Sequence, residues 1–143
     1  RINTGIGCAV NTNFLPAEPS LGVMHAEVPP KRMTWGPCAV ADNLQTDIVI
    51  HAYDKIFGPP PEDMKLCFRL YSACSHEYLE RTIVAPDLDA FDDGVPVGHL
   101  FPDAQNILNG DFGYFTIYSE YGGLKAYVLM KRLSGSATLE HCF

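Results

Sequence analysis

This chain of 143 residues predicts an all-β fold, an antiparallel β-sandwich of Ig-like or jelly-roll-like type. Three observations predict it. Short runs of β-branched and aromatic residues alternate with polar ones, turn-forming residues separate those runs, and only one stretch carries helix signals. About seven to nine short strands suit a sandwich, with a partly closed barrel as the alternative.

Residues 1–46 are rich in Gly, Pro, Asn and small side chains. Pro16, Pro19, Pro29, Pro30 and Pro37 exclude long helices and central strands there. This part reads as an extended Pro-rich arm of a single domain over 1–143, with one short strand over Leu21–Val28. It wraps the core or supplies an edge strand.

From Asp47, "DIVIHAYDKIF" is strand-like: Ile48, Ile50 and Ala52 alternate with Asp47, Val49, His51 and Tyr53. The prolines of "GPPPEDM" end it. "KLCFRLYSA" sets Leu66, Phe68 and Leu70 on one face and Lys65, Arg69 and Tyr71 on the other. "YLERTIVAP" alternates likewise, so these two strands form a hairpin. "DLDAFDDG" is an acidic turn, and "VPVGHLF" an interrupted edge strand. The one short helix falls near 102–109, with Pro102 at its first position, Asp103 at its positive end and Gly110 at its stop. "SATLEHCF" is a last strand.

Between them, "GYFTIYSEYGGLKAYVLMKRL" predicts two strands joined by Gly122-Gly123 in a tight hairpin turn with positive φ angles. A two-residue loop sets Tyr121 opposite Leu124, Ile117 opposite Val128 and Phe115 opposite Met130, all on the core face. The other face then carries Tyr114, Tyr118 and Tyr127.

The composition is 47% hydrophobic and 19% charged, which is globular and not disordered. No apolar run approaches the roughly 20 residues of a membrane helix. A formal net charge of -7 without a basic stripe argues against nucleic-acid binding. The start at Arg1 fits either a processed, secreted protein or a piece of a larger cytosolic one. Five cysteines leave at least one without an intrachain partner, and a local Cys67–Cys74 bridge requires the intervening turn to fold back.

Several groups are candidates for chemistry. Tyr114, Tyr118 and Tyr127 form a partner-binding platform for a protein, a second copy or a glycan, or else the ordinary wet face of a sheet. His25 and Glu27 share a side of an extended "MHAE". With His51, His99 or His141 they make a divalent metal site; the plainer alternative is structural or surface histidines. Asp87, Asp89, Asp92 and Asp93 form a solvated loop or a weak Ca²⁺ site. No nucleophile-elbow, phosphate-loop or paired-Cys motif is present. The expectation is a non-enzymatic recognition, accessory or assembly module making protein contacts or self-associating. A small metal-dependent enzyme or metal-binding sandwich comes second, and a carbohydrate-binding module third.

Overall fold

The computed structural model describes residues 6–10, 13–17, 32–110, 112–132 and 134–142. The chain is mainly β, as expected. Its strands are β1 (Ile6–Val10), β2 (Asn13–Ala17), β3 (Arg32–Ala39), β4 (Leu44–Ala52), β5 (Lys65–Ser72), β6 (Tyr78–Val84), β7 (Val95–Pro96), β8 (Phe112–Ser119), β9 (Leu124–Arg132) and β10 (Ala137–His141). Single helical turns follow four of the loops: α1 (Asp54–Phe57), α2 (Asp89–Asp92), α3 (Val97–Leu100) and α4 (Ala104–Leu108).

One sheet runs β3-β8-β5-β6, antiparallel throughout. The other contains β10-β9-β4-β7, also antiparallel, and the β1–β2 hairpin joins it through a single parallel pair, Leu139 with Ala17. Inward-facing residues of both sheets meet in one core. Leu66, Phe68 and Leu70 come from β5, Phe115 and Ile117 from β8, Ile48 and Ile50 from β4, and Ala126 and Val128 from β9. The period-two alternation of these strands, with one side dry and the other wet, generates the two layers. The layers approach closely at Gly36 of β3. A Cβ there would meet Val128 Cγ2 at 2.6 Å, Cys142 Sγ at 3.0 Å and Phe115 Cζ at 3.1 Å.

The β5–β6 hairpin has the expected register, with Tyr71 opposite Tyr78. The expected hairpin over 113–133 does not form. β8 pairs with β3 and β5, β9 pairs with β4 and β10, and the chain crosses from one sheet to the other between them. The inward residues are nonetheless the expected ones: Phe115, Ile117, Ser119, Tyr121, Leu124, Ala126 and Val128 are all buried. The physical reason is that a crossover also turns opposed residues toward a common core, so alternation alone cannot distinguish it from a hairpin. Neither Gly122 nor Gly123 has positive φ. Gly123 instead makes room for Tyr121, whose Cζ and hydroxyl oxygen would each lie 2.5 Å from a Cβ at that position. The Tyr121 hydroxyl donates to the Gly58 carbonyl at 2.6 Å, and the Tyr53 N–H donates to the Gly123 carbonyl at 2.9 Å.

Three further expectations change. β3 is a full strand where only loops and one strand over Leu21–Val28 were expected; the latter lies outside the described residues. β3 tolerates Pro37 because it is an edge strand. "VPVGHLF" supplies only two strand residues before turning helical, and Val97 and Leu100, three apart, are both buried there. The helix near 102–109 is present as α4, with Pro102 outside it, Asp103 at its N-cap and left-handed Asn109 at its C-cap, one residue before Gly110. The acidic turn becomes α2, anchored by buried Phe91, whose ring stacks on Phe68 at 5.9 Å. On the other side of β4, Asp47 is buried and paired with the Lys131 ammonium, while the Gln45 amide donates to its Oδ1 at 2.5 Å.

Three stability outcomes follow from this architecture. Tyr121→Phe should cost about 1 kcal/mol in chemical denaturation, the worth of one hydrogen bond, and Gly123→Ala about 1–3 kcal/mol through overpacking. Lys131→Met should cost about 2 kcal/mol or more by leaving the Asp47 carboxylate buried without its cation.

Candidate functional site

The outward side of the β3-β8-β5-β6 sheet is the candidate site. Its register sets three rows across the strands: Met33, Tyr118, Cys67 and Thr82; Trp35, Thr116, Arg69 and Glu80; Pro37, Tyr114, Tyr71 and Tyr78. Alternation places all of them opposite the core residues. Met33 is 70% exposed, Trp35 48% and Tyr118 36%, so large apolar groups face outward together on the β3–β8 side. Phe112, at the start of β8, extends this patch. Monomeric surfaces usually scatter such residues singly, which makes this group the candidate.

The third row is an aromatic ladder. Tyr114 and Tyr71 stack with centroids 4.7 Å apart and planes 10° from parallel, and Tyr71 meets Tyr78 at 5.5 Å and 32°. The first spacing matches the distance between neighbouring strands. The Tyr114 and Tyr71 rings therefore stand on the sheet with their faces turned toward each other and present edges and hydroxyls outward. The Arg69 guanidinium lies 5.7 Å from the Tyr78 centroid, while its Nε donates to Glu80 Oε2 at 2.6 Å. The Glu80 hydrogen bond, helped by Tyr71, pushes the Arg69 pKa above its ordinary value and holds it charged.

Beside the Tyr78 end of this ladder is a groove of about 630 Å³. His76, Glu77, Tyr78 and Leu79 form one wall, and Asp103, Asn106 and Ile107, at α4, form the other.

The residues expected to act together separate. Tyr114 and Tyr118 share β8, but Tyr127 is on β9 in the other sheet, so the three tyrosines do not form one platform. Tyr127 hydrogen-bonds Tyr53; burial first, then that bond, pushes its pKa up to about 12. The His51 ring packs edge-on to Tyr127 at 5.9 Å, and His51 Nδ1 lies 2.6 Å from Asp92 Oδ1. Both side chains of that ion pair are roughly half exposed, which makes it a weak surface contact. His99 is exposed on α3, where its carbonyl accepts from Arg81 Nη1 at 2.9 Å. His141 is paired with Tyr127 in the sheet register. His25, Glu27 and the side chain of His141 lie outside the described residues. Among the described residues, no group of three or more His, Cys, Asp or Glu could hold a metal ion, so His51 and His99 are not drawn into a shared ligand set. Asp87, Asp89, Asp92 and Asp93 form no such set either.

Tyr71, Tyr78, Trp35 and Met33 were not anticipated as site residues. The Tyr71–Tyr78 contact was within reach, because a hairpin closed across "CSHE" pairs them. The Tyr114–Tyr71 contact depends on β8 lying beside β5, which no local pattern encodes.

Cys38, Cys67 and Cys142 form no disulfide, so the Cys67–Cys74 bridge does not form. Burial pushes the Cys38 and Cys142 thiols up to about 12, and a Thr46 hydrogen bond opposes this slightly at Cys38.

The chain was compared with protein-family models, curated proteins and solved structures, and none of the three comparisons finds a match.

The thiols generate a pH prediction. Their folded pKa values lie above the ordinary 9.0, so the fold favours the neutral form. That stabilisation is complete below pH 9 and declines as the pH rises toward 12. Denaturation midpoints should fall across this range, less steeply in Cys38→Ala. Mass mapping at neutral pH should show alkylation of exposed Cys74 well before Cys38 or Cys142.

Proposed function

We propose that the protein is a non-enzymatic recognition and assembly module, a sandwich of Ig-like or jelly-roll-like type whose β3-β8-β5-β6 face docks on a protein surface. The observation that carries this reading is the joint exposure of Met33, Trp35, Phe112 and Tyr118 beside the aromatic ladder. Large apolar and aromatic side chains presented on a rigid sheet lose little entropy on contact, and Tyr and Trp are the residues on which binding energy concentrates. The charged Arg69–Glu80 pair and the tyrosine hydroxyls give this apolar patch a polar border, the usual anatomy of a protein interface.

Carbohydrate binding is the less favoured reading. A sugar ring stacks on an outward aromatic face, whereas the Tyr114 and Tyr71 faces are turned on each other.

A second copy of the chain is the first partner to test. Sedimentation velocity from micromolar to near-millimolar protein should show reversible association. Met33→Glu and Tyr118→Glu should each abolish it with little change in denaturation midpoint. A strict monomer across that range, together with specific signal on a glycan array, would replace this reading with the carbohydrate one.

A further inference from the structure

We propose that the groove beside α4 and the open edge of β6 together hold an extended peptide segment and receive an arginine side chain from it. This rests on the protein-recognition reading above and uses a neighbouring surface that shares Tyr78 with the aromatic ladder. Among the described residues β6 pairs with β5 on one side only and contains no proline, so its other edge offers backbone groups that an added strand can use. The groove opens where β6 begins, so a strand laid along that edge carries a side chain directly over it.

The lining selects the side chain. Glu77 and Asp103 supply two carboxylates, Asn106 and His76 add polar groups, and among the described residues no Lys or Arg lines the groove. Asp103 makes no side-chain capping bond to α4, so its carboxylate is not engaged by the helix it precedes. Asp103 and Asn106 are three residues apart on one helical turn and so lie on one side of it. A guanidinium presents a fixed fork of N–H donors that matches a carboxylate beside an amide oxygen. Its methylene stem would lie on Leu79 and Ile107. The volume of about 630 Å³ exceeds one side chain and leaves room for the residues flanking it. The formal net charge of -7 favours the approach of a basic segment from a distance.

The probe is an acetylated, amidated peptide, Thr-Val-Arg-Val-Thr, titrated into isotope-labelled protein and followed by amide chemical shifts. Its control carries citrulline, which keeps the shape of arginine and removes the charge. Saturable shifts at His76–Leu79 and at Asn106 and Ile107, with slowed amide exchange along β6, are expected. Citrulline should weaken binding roughly ten-fold, the worth of a charge-assisted hydrogen bond. Asp103→Asn combined with Glu77→Gln should erase the preference for arginine over citrulline without changing the denaturation midpoint. Absent shifts, or equal affinity for the two peptides, would overturn the proposal. Shifts confined to the Met33 and Tyr118 face would also overturn it while leaving the docking-face reading intact; Met33→Glu should leave groove binding unchanged.

Discussion

The Tyr121 hydroxyl on the Gly58 carbonyl, with the Tyr53 N–H on the Gly123 carbonyl, ties together two sheet-to-sheet crossings. One crossing leads from β4 to β5, the other from β8 to β9. These four strands are interior members of their sheets, each with a strand on both sides. Fastening the two connections to each other therefore fixes the layers at their centres, and the outer strands hang on that frame. Tyr121 is itself buried, so its hydroxyl must find a protein acceptor or remain unsatisfied. The positions of β3 and β6, and with them the candidate site, depend on this junction.

Much of the fold was legible because sidedness is a local property. The alternation in β5, β6, β8 and β9 identifies which residues face the core whatever strand lies alongside. Strand pairing is not local in that sense. A connection that reads "EYGGL" suits a tight hairpin by composition, yet the burial of Tyr121, Gly122 and Gly123 requires a corner inside the protein. Burial of a loop is decided by distant residues, here Tyr53 and Gly58. The same limit explains the site. Tyr71 and Tyr78 meet across one hairpin, whereas their continuation to Tyr114 requires two strands far apart in sequence to lie side by side. β3 went unrecognised because Pro37 argues against a central strand and says less against an edge.

The two outward faces have different characters. On the four-stranded sheet, aromatic side chains stack among themselves and large apolar ones are exposed. On β4 and β9 of the other sheet, the polar groups are answered within the chain: Asp47 by Lys131, His51 by Asp92 and Tyr127 by Tyr53. Polar groups already satisfied internally gain little from a partner, while uncovered apolar surface gains from any contact that removes it from water. This contrast, more than the number of tyrosines, selects one face over the other.

The close approach at Gly36 has a mechanical counterpart across the protein. Near β3 the layers touch through a residue without a side chain, and a buried thiol and a valine methyl fill the contact. Toward β5 and β6 the core takes in Phe91, Val97, Leu100 and Leu108 from a chain of one-turn helices. The core is thus closed by strand residues beside β3 and filled by short helices nearer β5. Single helical turns hold few hydrogen bonds of their own and rely on their anchoring side chains. Thermal opening should therefore begin at these short helices. The β3 side, packed tightly around Gly36, should open later.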